Sequence, residues 1–240
     1  MDSYKKEGND LNNIREQILK NLRKSPLQAS QKPVLPNHRD ASIYRSVDTA
    51  RQNPLQTFAQ KIAALKGEFY RVKDEPAAAR TLRELLSGVV SPTNKSGVVA
   101  PAARHRHILL DRIFAADSWL IENIQIIDRQ KISSPDFADF AVGITAVDFL
   151  VARTGSLVLS TATAGGRRLS VLPPFHIAVA TPEQVVVSLD EALQRYYDGG
   201  EPNRSSYATI ITGPSRTSDI EKILVLGAHG PKRLAVMVVG

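Results

Sequence analysis

Thr154, Gly155 and Ser156 open a stretch, TGSLVLSTATAGGRRLSVLPPFH, in which threonines, serines and glycines surround short apolar runs and two adjacent arginines. Backbone N–H groups and hydroxyls of this kind can cradle an anion, and Arg167 or Arg168 would add charge. Glycine lets a ligand approach the main chain closely. The same residues suit a hairpin turn at Arg153–Ser156, with Gly155 taking the positive φ, so turn and cradle both stand as readings. A second segment, ITGPSRTSDIE, runs from Ile211 to Glu221. Its pattern predicts a strand ending at Thr212, a turn at Gly213–Pro214 and a helix from Ser218, with Ser218 and Glu221 as a capping box. Capping leaves Ser215, Arg216 and Thr217 without a local role. A strand's carboxyl end beside a helix N-terminus is where open α/β sheets bind carboxylates and phosphates, so Gly213, Ser215, Arg216 and Thr217 are expected to line one wall of a site. In GAHGPKRL, Gly227 and Gly230 bracket His229, a histidine that could donate to an anion or move a proton. His176, after LPPF, reads as a half-buried residue at a strand start or as a site residue. Glu221 and His229 are the candidate catalytic groups.

Other chemistries lack their residues. The chain has no cysteine, which excludes disulfides, thiolate nucleophiles and cysteine-ligated zinc or iron–sulfur clusters held by this chain alone. His105 and His107 lie among arginines in RHRH with no carboxylate at ligand spacing, so no metal is expected. No Walker loop, G-x-G-x-x-G or G-x-S-x-G is present. The net charge of +7 favours anionic partners, but the basic residues are scattered and no nucleic-acid-binding signature joins them. No apolar run approaches membrane-spanning length, and the first residues, MDSYKKEGND, lack a signal-peptide core, so a cytoplasmic location is expected.

The elements that must hold these loops follow from periodicity. Leu11, Ile14, Ile18, Leu19 and Leu22 recur at helical spacing, and Ser25 to Pro54 is polar with four prolines. Residues 1–53 therefore read as an amphipathic helix and an extended arm, a candidate docking element for a partner or second copy, and 54–240 as the compact domain. PLQTFAQKIAALKG predicts a helix with Leu55, Phe58, Ile62 and Leu65 on one face and Gly67 as its stop. EFYRV and GVVAPA read as strands, EPAAARTLRELLSG as a helix, and SWLIENIQII as an ambiguous apolar run. SLDEALQRYYDGG is a helix with Ser188 and Glu191 as a capping box, and HIAVA is a short buried strand. YATIITG and LAVMVVG suit central strands of a sheet covered on both faces. Alternating helices and strands predict an α/β fold, a mostly parallel sheet with helices on both faces.

GITAVDFLVARTGSLVL, LPPFHIAV, GPSRTSDIE and GAHGPKRLAVMVV, in this order, resemble the lactate utilisation protein C family of LUD-domain proteins. The likeness is clear over about residues 140–240 and weaker from 55 to 139. It implies a fold similar to the ribose-5-phosphate isomerase and CoA-transferase superfamily, and an accessory or regulatory part in oxidising L-lactate to pyruvate with iron–sulfur partner proteins. This chain, lacking cysteine, would bind no cofactor itself. Thr154, Gly155, Ser156, Arg167, Gly213, Ser215, Arg216 and Thr217 would then bind a small anionic metabolite, with His229 at the rim. The family pattern has an acidic residue before Thr-Gly, where this chain has Arg153, which would make the pocket more electropositive. The alternative is a stand-alone transferase or cyclo-ligase acting on an anion such as a CoA ester, with Glu221 as its carboxylate. Assembly into a homo-oligomer is open.

Overall fold

The computed structural model describes residues 16–17, 19–21, 47–89, 98–101, 108–127, 140–160, 168–198, 208–217, 225–226 and 230–240. Arg167, Glu221, His229, the Ser218 capping position and the RHRH pair lie outside them. The chain divides into Met1–Ile43 and Tyr44–Gly240. In the first unit the described positions, Glu16, Gln17 and 19–21, are helical and exposed.

In the second unit the main sheet has six parallel strands, ordered β1-β12-β7-β4-β2-β3. They are β1 (Glu68–Val72), β2 (Val98–Pro101), β3 (Ile124–Ile127), β4 (Val142–Ala146), β7 (Phe175–Ala180) and β12 (Arg233–Val239). A smaller sheet, ordered β8-β5-β6-β9, joins β5 (Phe149–Val151), β6 (Ser156–Ser160), β8 (Val185–Val186) and β9 (Ala208–Ile211). Within it, β6 runs antiparallel to both β5 and β9. A two-residue antiparallel ladder pairs β10 (Arg216–Thr217) with β11 (Val225–Leu226).

Alternation along the central strands sorts the core into layers. Val142, Ile144, Ile177, Val179 and Met237 face one side, where they pack with Leu82, Leu86, Leu110, Ile113 and Leu120. Those five come from α3 (Glu75–Ser87), α4 (Ile108–Ala115) and α5 (Ser118–Asn123). Ala178, Ala180, Leu234, Val236 and Val238 face the other side, against Ala50 of α1 (Val47–Gln52), Phe58 and Ile62 of α2 (Pro54–Ala64), and Leu150, Leu157 and Leu159 of the smaller sheet. On that sheet's far face, Val151, Val158 and Val186 meet Ala192 of α6 (Leu189–Asp198). Helices thus flank the parallel sheet on both faces, as the alternation predicts.

Several local expectations shift. The ambiguous SWLIENIQII divides into α5 and β3, the helix capped by the Asp117 carboxylate accepting from Trp119 N–H. YATIITG is not central: β9 is an edge strand of the smaller sheet, with Ile210 exposed. LAVMVVG is central, and β12 is buried from Leu234 to Val239. The stop of α2 is Lys66, which takes φ +68°, while Gly67 N–H reaches Ile62 C=O at 2.9 Å and Lys66 N–H reaches Ala63 C=O at 2.9 Å. That is a Schellman ending with lysine in the left-handed seat. Gly67 is required for room instead, since a Cβ there would lie 2.7 Å from Ile62 Cγ1. The Ser188–Glu191 box is half made: Glu191 N–H donates to Ser188 Oγ, whereas the Glu191 carboxylate accepts from Val187 N–H.

Candidate functional site

The last turn of α2 is the seat on which two sequence-predicted loops meet. The turn after β5 places Gly155 at φ +67°, its N–H bonded to Val151 C=O at 2.9 Å. A Cβ on Gly155 would stand 2.9 Å from Ile62 N and 3.0 Å from Lys61 Cβ. After β9, Gly213 takes φ +82°, and a Cβ there would stand 3.0 Å from Leu65 Cβ. Each glycine answers both a left-handed backbone and contact with the helix.

Between the loops runs a chain of hydroxyls. Thr154 Oγ1 lies 2.7 Å from Ser156 Oγ, which lies 2.8 Å from Thr212 Oγ1. Ser156 is buried, 4% exposed, while Thr154 and Thr212 are exposed. The exposed Arg216 folds its guanidinium back, Nη2 lying 3.3 Å from where a Gly213 Cβ would sit. Ser215 N–H donates to Pro231 C=O at 2.9 Å, and a Cβ on Gly230 would stand 3.1 Å from Ser215 Cβ, so the stretch before β12 abuts the same loop.

The structure therefore brings together Thr154, Gly155, Ser156, Gly213, Ser215 and Arg216. Thr217 enters the short ladder with Val225, and the side chain of Arg168 is exposed on the single turn Arg168–Ser170. One part of the expected setting changes. The second loop follows an antiparallel edge strand, not the carboxyl end of a parallel one, and the described helix end beneath it is the C-terminus of α2. The peptide dipole of that end favours cations, so positive potential for an anion must come from side chains such as Lys61, Lys66 and Arg216. The Schellman bonds already occupy carbonyls of the helix end.

Sequence reasoning passed over Thr212 and Lys61. The available signal was repetition: Thr-Gly occurs at 154–155 and again at 212–213, and both glycines adopt positive φ. Asp148 was also passed over. Its carboxylate accepts from Ser160 N–H at 2.5 Å and Ser160 Oγ–H at 3.2 Å, tying the corner between β4 and β5 to the end of β6. Gln184 Nε2–H donates to Val147 C=O at the same corner, and Gln184 Oε1 accepts from Thr181 N–H at 2.7 Å.

His176 is not at the strand surface. It is fully buried on β7, its Nε2 2.8 Å from Thr145 Oγ1, and its Nδ1 has no partner. Burial pushes the imidazole down to about 4, so it is neutral at pH 7. Beside it in register, Gly143 leaves room for a backbone: a Cβ there would lie 2.1 Å from the Leu169 carbonyl oxygen. A Thr–His pair has nucleophile–base chemistry, yet both groups are sealed from solvent. Ser156 bonds hydroxyls rather than a base. Hydroxyl and guanidinium groups such as these are of the kind that donate to anions. Among the described residues no cluster of His, Asp and Glu could hold a metal ion, and no helix is long and apolar enough to cross a membrane.

Comparison with known proteins agrees with the fold and gives the family. A DUF162 family protein from Deinococcus radiodurans superposes with a TM-score of 0.52 at 21% identity, covering 79% of this chain and 98% of that one. Lactate utilization protein C of Geobacillus sp. is 30% identical over 190 residues, 74% of this chain and 77% of that protein. Its namesake from Shouchella clausii is 27% identical over 211 residues, 85% and 87% respectively. The D. radiodurans protein of that name is 30% identical over 153 residues, 63% and 71%. The LUD domain matches residues 55–239, and the chain belongs to the LUD domain family, in its lactate utilisation protein C branch.

Proposed function

We propose that this protein is an accessory or regulatory subunit of an L-lactate utilisation system in the cytoplasm. It would act beside iron–sulfur proteins that carry the electrons from L-lactate to an acceptor, and its own contribution would be to bind a small carboxylate. The relatives' names supply the metabolic setting. The observation that supports the site is the convergence of the two Thr-Gly loops: three linked hydroxyls from segments 56 residues apart, with the Arg216 guanidinium folded back toward Gly213 in the second loop. A carboxylate would accept from an outward-facing hydroxyl and from a guanidinium without any change of protonation. A chain without cysteine supplies no thiolate ligands, so on this reading the iron–sulfur clusters belong to the partner proteins.

The test is lactate-dependent reduction of an electron acceptor in cell extracts, with the gene deleted and then restored. Deletion should abolish the activity, the wild-type gene should restore it, and Arg216→Ala should not. Purified Arg216→Ala should melt close to the wild type, because an exposed side chain costs little, about 0.5 kcal/mol or less. Activity untouched by deletion would overturn the metabolic role. Restoration by Arg216→Ala would overturn the anion site.

A further inference from the structure

A chain of three hydroxyls takes one direction once a ligand accepts at one end, and that direction says what the other end must be offered. A hydroxyl carries one proton and two lone pairs. Thr154, Ser156 and Thr212 are joined by two hydrogen bonds, in each of which either oxygen could be the donor. Two of the three protons are spent inside the chain. The third stays either on an end threonine, leaving the opposite end with only lone pairs to offer, or on Ser156, when both threonines donate inward. Ser156 is buried between its neighbours and, with one proton, can donate to only one of them at a time.

Resting on the anion-site reading above, we propose that Thr212 is a positioning residue that orients this chain, and that the site therefore prefers a 2-hydroxy carboxylate to the 2-oxo carboxylate of the same size. Arg216 Nη2 lies 3.3 Å from where a Gly213 Cβ would sit, one residue along from Thr212, and on this proposal the carboxylate sits at the Thr212 end. A carboxylate there accepts the Thr212 proton. Thr212 must then accept from Ser156, and Ser156 from Thr154. Thr154 is left as an acceptor, which a ligand hydroxyl satisfies by donating. A keto oxygen has no proton and would face lone pair against lone pair. Sequence alone did not reveal this, since Thr212 closes a strand and lies in a different segment from its partners.

The experiment is calorimetric titration of the full chain with L-lactate, pyruvate and acetate, for the wild type, Thr212→Val, Thr212→Ser and Arg216→Ala. The wild type should favour L-lactate over pyruvate by roughly five- to tenfold, the worth of one net hydrogen bond. Thr212→Val keeps the shape and removes the proton; it should bind both more weakly and with no preference. Thr212→Ser should restore the preference, which a purely structural contribution of the threonine methyl would not do. Equal binding of L-lactate and pyruvate by the wild type, or a preference surviving in Thr212→Val, overturns the directional chain while leaving the anion site standing. Arg216→Ala that binds all three anions like the wild type, or a wild type that binds none, overturns the site itself and the direction with it.

Discussion

Acidification should destabilise this protein through His176. The imidazole is fully buried, and burial lowers it from an ordinary 6.5 to about 4. A group depressed in the folded state binds protons more readily when unfolded, so stability falls as the pH drops below the unfolded value and stops falling below the folded one. The full loss across that interval is about 3 kcal/mol, from about 1.4 kcal/mol per unit. By pH 5 about 2 kcal/mol of it should be gone. Glu68 is likewise lowered from its ordinary 4.5, chiefly by its hydrogen bonds from Arg233, so its contribution is lost as the pH falls below that value. The register partners of His176, Gly143 and Leu234, and its bond partner Thr145 do not titrate. The assay is urea unfolding followed by circular dichroism at pH 7, 6 and 5, for the wild type and His176→Gln. The glutamine can keep a bond to Thr145 and cannot charge. Whatever that variant costs at pH 7, its stability should fall by about 2 kcal/mol less than the wild type's between pH 7 and 5. Parallel falls would refute the reasoning, as would an NMR titration placing His176 near 6.5.

Other positions test the packing. Gly143→Ala should destabilise by about 3 kcal/mol or more, because the Leu169 carbonyl occupies the space of the new methyl and is backbone that cannot swing aside; thermal melting reads it. Gly155→Ala should cost about 1–3 kcal/mol, from the left-handed backbone and from contact with Ile62 N, and should weaken anion binding along with stability. Asp148→Ala removes the acceptor for two Ser160 donors and should cost about 1–3 kcal/mol. Hydrogen exchange should quicken at Ser160 N–H in that variant, and unchanged exchange there would argue against the bond.

The layer arrangement was legible because burial writes itself into composition. LAVMVVG has no polar residue before its terminal glycine, and the strand it forms is covered on both faces. YATIITG looks nearly as apolar, yet it forms the edge of the smaller sheet. A short apolar run records that a residue is compatible with a core, not which neighbours complete its hydrogen bonding, so centre and edge are decided by the rest of the chain. The end of α2 misled for a related reason. Glycine is the usual residue in the left-handed seat, but here the tight contact with Ile62 claims Gly67, and Lys66 takes the positive φ one position earlier.

The site divides along the same line. Each loop was visible alone, since threonine, serine and glycine beside arginine have few structural uses together. Their union was not, because nothing local relates residue 156 to residue 212; the contact exists only because β6 and β9 pair antiparallel, setting Leu157 opposite Ile211. That register has a chemical consequence. Ser156 and Thr212 are the next residues outward from the last pair, so their hydroxyls meet where the ladder opens. A slip of one residue would turn the Ser156 side chain away and break the chain of hydroxyls while leaving both sequences intact. The meeting of the three hydroxyls is thus encoded less in the Thr-Gly motifs than in the apolar strands SLVLS and ATII, whose pairing fixes how the two segments align.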